Sequence, residues 1–249
     1  MNTQHTKGLE TFRSLVPGWY WSLGQMDYEE AFDLQCRLRE RRIAKQIPDV
    51  LLLLEHPPTI TVGRSGRKEN ILASEKSLKK KGIHLVYTNR GGDVTYHGPG
   101  QLVGYTIIDL HRYGMDLHLF LRMLEEVSIR TLERWNIKAH RLDGITGVWV
   151  ENEKIASIGL HIKRGVALHG FGLNVQPNLA HFSLIYPCGI RDKGVTSIAK
   201  LIPRPLDMKE IAPYVAKVFG EIFHLDMKKA PSAGFNLDLD LGQPMGDFP

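Results

Sequence analysis

The sequence predicts an α+β fold in a single domain, with a mixed β-sheet flanked by helices. Three observations carry that prediction. Apolar, strand-like runs crowd the middle of the 249-residue chain. Helical periodicity is confined to a few separated stretches, without the regular strand–helix rhythm of a parallel sheet. No internal repeat and no clean linker divides the chain, and its length suffices to bury one sizeable core.

Taken in order, residues 1–18 read as a loose leader closed by Pro17-Gly18, and Trp19 to Leu23 as a strand. Asp27 suits a helix N-cap, and Tyr28 to Lys45 a charged amphipathic helix ending before Pro48. Val50 to Leu54 is a continuous apolar run, the pattern of a buried strand. Thr59 to Val62 forms another strand after the Pro57-Pro58 corner. A short helix over Ser74 to Lys81 and a strand over Ile83 to Tyr87 lead to a glycine-rich motif. That motif holds a short polar strand, Asp93 to His97, and an apolar strand follows from Leu102 to Leu110. Asp116 to Trp135 is the clearest helix, with Leu117, Leu121, Leu124, Leu132 and Trp135 at core spacing. Gly147 to Val150 and Lys154 to Ile158 form a hairpin around Glu151-Asn152-Glu153, and Val166 to Val175 adds a further strand. A last helix runs from about Asp207 to Phe223, and a Gly-, Pro- and Asp-rich tail begins at Lys228. The domain is thus expected over 19–227.

Composition is that of a soluble globular protein: 43% hydrophobic and 24% charged. No segment approaches membrane-spanning length and the N-terminus has no apolar signal core. Cys36 and Cys188 match no zinc or redox spacing, which predicts free thiols and a reducing, cytoplasmic setting. The net charge of +5 comes with basic clusters at Arg37 to Lys45, Lys79 to Lys81 and Lys163-Arg164. Each reads first as a solvated face. Together they suit an acidic protein partner better than nucleic acid, since no aromatic residues interleave with them. No coiled-coil or other assembly segment is evident, which predicts a monomer.

Four features bear on chemistry. Arg90-Gly-Gly-Asp-Val-Thr-Tyr-His-Gly-Pro-Gly-Gln101 packs four glycines around one short strand. Taken alone it reads as a pair of turns, although it also lets another molecule approach the main chain. Cys188, between Pro187 and Gly189, stands at a turn where a thiol is accessible, whereas Cys36 lies in a helix beside Leu34 and Leu38 as a small hydrophobe. Lys154 opens the small-residue strand Lys-Ile-Ala-Ser-Ile-Gly159. Spacing alone favours a hairpin-end lysine reaching water, against one that favours thiolate at a neighbouring cysteine. His56, His97 and His169 lack zinc-site spacing, and hydrogen bonding ranks above general-base catalysis for all three.

These motifs together resemble the octanoyltransferases of lipoate biosynthesis, the lipoyl(octanoyl) transferase family. The signature is Arg90 to Gln101; Lys154 to Gly159 matches a second motif and Pro187-Cys188-Gly189 a third, with the Lys–Cys separation of 188 − 154 = 34 residues also that of the family. Leu51 to His56, Gly63-Arg64 and Leu173 to Val175 fit as well, and the likeness spans roughly Trp19 to Phe223. It implies the α+β scaffold of biotin and lipoate protein ligases, and transfer of octanoate from octanoyl-acyl carrier protein to a lysine of lipoyl domains or the glycine-cleavage H protein. It implies no cofactor and no metal, because the donor thioester is already activated. Cys188 would form a thioester acyl-enzyme, with Lys154 favouring its thiolate and moving protons. Backbone N–H groups near Cys188 and the glycine motif would stabilise the oxyanion. The acyl pocket would be lined by Arg90, Gly91, Gly92, Asp93, Val94, Thr95, Tyr96 and His97, by Ser157, Ile158 and Gly159, and by Gly170, Phe171 and Gly172. Gly170-Phe171-Gly172 departs from the Gly-Leu-Ala of many relatives, which bears on the shape of the pocket. Three alternatives fit these motifs less well. An ATP-dependent ligase on the same scaffold needs no nucleophilic cysteine, an amidotransferase between lipoyl proteins sets its cysteine in another context, and a non-catalytic lipoyl-binding module needs no Lys154–Cys188 pair.

Overall fold

A computed structural model of the chain describes residues 15–204 and 206–230. The elements follow the order β1 (Val16–Gln25), α1 (Tyr28–Ile43), β2 (Asp49–Glu55), β3 (Thr59–Val62), α2 (Glu75–Lys80), β4 (His84–Tyr87), β5 (Val94–His97), β6 (Gln101–Ile107), α3 (Leu117–Glu133), β7 (His140–Leu142), β8 (Ile145–Val150), β9 (Glu153–Lys163), β10 (Val166–Asn174), β11 (Gly194–Val195), α4 (Ile198–Leu201), α5 (Met208–Phe223) and β12 (Leu225–Lys229). The large sheet has the order β12-β1-β2-β6-β10-β9-β8-β7, with β11 added beside β9; a small sheet has the order β4-β3-β5. Both are mixed: β1 runs parallel to β2 and β12, β2 antiparallel to β6, and β3 parallel to β4 but antiparallel to β5. This is the α+β fold with a mixed sheet that the strand-rich middle predicts.

The apolar run of β2 is continuous because both of its faces are covered. Leu51 and Leu53 pack with α3 and α5, whereas Val50, Leu52 and Leu54 pack beneath α1. A third cluster, Ile60, Val62, Val94 and Tyr96 with Phe182 and Ile185, fills the back of the small sheet. The active face therefore lies where the two sheets meet.

Several boundaries differ from expectation. β1 begins at Val16, so Val16, Pro17 and Gly18 are strand rather than leader; Gly18 is there because a Cβ would sit 2.5 Å from Met227 Sδ of the adjacent β12. Lys228 and Lys229, expected in the tail, belong to β12. β9 runs on past Ile158 to Lys163, since Gly159 marks a close backbone approach to Gly91 and not a strand end. The core stripe of α3 passes through Phe120, Leu124, Val127 and Leu132, while Leu117 is exposed in the first turn. Asp116 and Asp207 cap α3 and α5, accepting the N–H of Leu119 and Lys209; Asp27 holds the N-cap position of α1 without a side-chain hydrogen bond. The remainder of the expected leader and tail lies outside the described residues.

Candidate active site

Two short segments bring Lys154 and Cys188 together. Cys188 lies in a tight turn, Pro187–Gly189, with φ +57° and ψ +21°. The chain then returns as β11, whose Gly194 and Val195 pair with Glu153 and Lys154, and the Thr196 N–H donates to Lys154 O at 3.0 Å. The result places Lys154 Nζ 3.1 Å from Cys188 Sγ, close enough to donate to it. Lys154 is 3% exposed, so the water-reaching lysine favoured by spacing is not what forms. Its ammonium stands over the Trp149 ring, 4.8 Å from the centroid, and 3.4 Å from Thr146 O. Gly147 makes room: with φ +132°, its missing Cβ would fall 3.2 Å from Lys154 Cε and 2.9 Å from Ala156 O.

The Cys188 turn is held from the other side by Asp93. One carboxylate oxygen accepts the Arg67 N–H at 3.0 Å and the other bonds Asn70 Nδ2, while Asn70 O accepts the Tyr186 N–H at 2.8 Å. Arg90 spends its donors on the protein itself: Nε on Thr61 Oγ1, Nη2 on Thr61 O and Asp93 O, Nη1 on Gly91 O. It acts as a strut for the glycine motif.

Cys188 opens onto a slender slot of about 50 Å³, walled by Arg90, Gly92, Asp93, Thr95 and His97, by Ser157, Ile158 and Gly159, and by Gly170, Phe171 and Gly172. Val94 and Tyr96 do not face it. Alternation along β5 turns them to the opposite side, into the core behind the small sheet, where the Tyr96 hydroxyl meets His181 Nδ1 at 2.8 Å. Gly91 lies outside the lining as well, its N–H bonded to Leu160 O at 2.7 Å. The Gly189 and Ile190 N–H groups are likewise spent, on Tyr186 O and Pro187 O.

Sequence reasoning missed Tyr28, Val103 and Tyr105 as lining residues, and these together with His169 complete the wall. Val103 and Tyr105 fall at alternate positions of β6, a period-2 signal that shows a shared face but not what the face meets. It also missed the role of Gln101 and Asn174. Gln101 Nε2 donates to Tyr96 O at 3.1 Å and Asn174 Oδ1 at 2.9 Å, and Asn174 Nδ2 donates to Thr196 O at 3.0 Å. Gln101 Oε1 therefore faces His97 Nδ1 at 2.6 Å, and His97 must carry its proton on that nitrogen. A buried amide relay thus links the slot to the segment that holds Lys154.

All three flagged histidines are hydrogen-bonded within the protein. His56 Nδ1–H donates to Met26 O and its Nε2 accepts from the Tyr105 hydroxyl, both at 2.7 Å; His169 Nε2–H donates to Asn89 Oδ1 at 2.8 Å. Burial pushes His56 down to about 4, and His97 and His169 to about 3, so each is neutral near pH 7. No bond joins any of them to Cys188. Among the described residues no group of three His, Cys, Asp or Glu side chains is placed to hold a metal ion, and no helix is long and apolar enough to cross a membrane.

The family model of the lipoyl protein ligase A/B catalytic domain matches residues 27–220. The chain is 49% identical over 203 residues to an octanoyltransferase of Caldicellulosiruptor bescii, covering 81% of this chain and 89% of that one. It is 49% identical over 207 residues to an octanoyltransferase of Alkaliphilus metalliredigens, covering 83% and 95%. Among solved structures it is similar to a lipoate-protein ligase A bound with ATP (TM-score 0.65, 17% identity, 87% and 88% covered). A bi-partite lipoate protein ligase of Thermoplasma acidophilum gives a TM-score of 0.65 at 17% identity, with 87% of each chain covered. At that identity the two structures speak to the fold.

Proposed function

The chain belongs to the octanoyltransferases of the lipoyl protein ligase A/B catalytic family, acyltransferases of protein lipoylation, and we propose that it works through a thioester on Cys188. The observation that carries this reading is the 3.1 Å contact between Lys154 Nζ and Cys188 Sγ at the mouth of the slot. The donor is octanoyl-acyl carrier protein, and the acceptor is the lysine of a lipoyl domain or of the glycine-cleavage H protein. The setting is the cytoplasm.

In the first half-reaction the Cys188 thiolate attacks the octanoyl carbonyl carbon. The Sγ–C bond forms, the carrier's S–C bond breaks, and the departing sulfur takes a proton from the Lys154 ammonium. In the second, the neutral amine of the acceptor lysine attacks the acyl-enzyme. A C–N bond forms, the Sγ–C bond breaks, and the amine's proton passes to Lys154, restoring the ammonium–thiolate pair. The protons balance over the two steps, and no nucleoside triphosphate is consumed.

Arg90, Gly92, Asp93, Thr95, His97, Ser157, Ile158, Gly159, Gly170, Phe171 and Gly172 contact the acyl chain or its carbonyl in this scheme. Val94, Tyr96 and Gly91 shape the same motif from behind. Incubation with octanoyl-carrier protein and no ATP is expected to add one octanoyl mass to Cys188, removable by hydroxylamine. Transfer by Cys188→Ser at the wild-type rate would rule the covalent route out, and a requirement for ATP with free octanoate would replace transfer by ligation.

A further inference from the structure

The slot behind Cys188 is not the largest cavity of the protein. A cleft of about 820 Å³ lies beside it, lined by residues that include Phe32, Val86, Asn89 and Ile162. β9 connects the two in order. Lys154 stands at its start with Cys188, Ser157 and Gly159 line the slot, and His161 to Lys163 line the cleft. At about 3.3 Å per residue, the strand runs from the dyad past the slot and on to the cleft. Tyr28 alone lines both cavities.

Two contacts hold the partition shut. The Tyr28 hydroxyl donates to Thr88 Oγ1 at 3.0 Å, reaching from the slot to a residue of the cleft wall. His169, which lines the slot, donates to Asn89 Oδ1 on the cleft side, and Phe32 of the cleft stacks on its ring at 5.5 Å and 11°. Tyr28 itself stacks on His97 at 6.2 Å, and both Tyr28 and His169 are buried. The wall is therefore a single layer of aromatic rings, latched on its far face, with a roomy cleft behind it in which Phe32, Val86 and Ile162 stand among charged side chains such as Asp33, Arg39 and Arg64.

We propose that Tyr28, latched to Thr88 and backed by the His169–Asn89 bond, ends the acyl slot and sets the length of chain that Cys188 accepts. This rests on the acyl-transfer reading above. A chain that fits the slot stops against the Tyr28 ring. A longer one has to break the latch before its methyl end reaches Phe32, Val86 and Ile162. Removing the ring joins slot and cleft, and each further methylene then gains apolar contact that the wild-type wall denies it.

The test is a ladder of octanoyl-, decanoyl-, dodecanoyl- and tetradecanoyl-carrier proteins, with the initial rate of Cys188 loading read by intact mass. Wild-type protein is expected to load octanoyl at least about tenfold faster than dodecanoyl. Tyr28→Ala is expected to raise the dodecanoyl-to-octanoyl ratio on the order of tenfold or more. Asn89→Ala, which frees His169 from the cleft side, is expected to raise it by a smaller factor and serves if the Tyr28 variant does not fold. Equal loading of tetradecanoyl and octanoyl by wild type, or an unchanged ratio in folded variants, overturns the wall. Failure of wild type to take up any octanoyl on Cys188 overturns the transfer reading itself, and the inference falls with it.

Discussion

Cys188 and Cys36 have the same chemistry and opposite surroundings. Cys188 is partly exposed in a left-handed turn, with an ammonium 3.1 Å from its sulfur. Cys36 is buried in α1, and burial pushes its thiol up despite the Arg39 charge nearby. Thiolate is the reactive form, so haloacetamide at neutral pH is expected to modify Cys188 and spare Cys36. In the proposed chemistry Lys154 supplies the positive charge beside the sulfur, so Lys154→Ala should slow modification of Cys188 on the order of tenfold. Peptide mass mapping over a time course at neutral pH reads both effects; an unchanged rate in the variant would remove Lys154 from the proposed chemistry.

Strands carry the site, and their alternation decides which motif residues reach it. On β5, Thr95 and His97 face the slot while Val94 and Tyr96 face the core, a division that residue type alone does not reveal. Strand β10 supplies Gly170 to Gly172 to the slot and Asn174 to the amide relay. Asn174→Leu would leave a buried Gln101 donor and the Thr196 carbonyl without partners, at a cost of about 1–3 kcal/mol each. Thr196 also donates to Lys154 O, so the loss loosens the Lys154 strand as well as the fold. A lowered urea midpoint is expected together with a fall in kcat larger than any change in KM, whereas loss of stability with kcat intact would make the relay purely structural. How much of this was legible follows the same physics. Long runs with a strong period, such as Val50 to Leu54 and the α3 stripe, announce themselves, as do the three motifs. Strands β11 and β12 do not: one is two residues long, and the other carries Asp226, Lys228 and Lys229 on a sheet edge. The burial of Lys154 was equally hidden, because β11, which covers it beside its hairpin partner Trp149, returns from 40 residues further along the chain (194 − 154 = 40).

At the scale of the whole molecule, the place where the two sheets meet is filled by neutral imidazoles. His56, His97 and His169 are buried, and His56 stands 5.7 Å from His97 between ring centroids. Desolvation lowers each of them, from 6.5 to about 4 for His56 and to about 3 for the other two. In the unfolded chain all three protonate below the ordinary imidazole value of about 6.5. Between pH 6.5 and about 4 the unfolded state therefore binds more protons than the native state, and stability rises with pH across that window. Each histidine contributes a slope of up to about 1.4 kcal/mol per pH unit, so the three together can remove several kcal/mol before carboxylates begin to matter. The sign is opposite to that of a histidine stabilised by a carboxylate partner, whose contribution is present at low pH and lost as pH rises. Denaturant midpoints are expected to be flat above pH 7 and to fall steeply from pH 6.5 towards pH 4. Replacing His56 by Gln should make the fall shallower, even if the midpoint at pH 7 is lower. A midpoint that stays level down to pH 4.5 in the parent protein would show that these rings accept protons without opening the junction of the sheets.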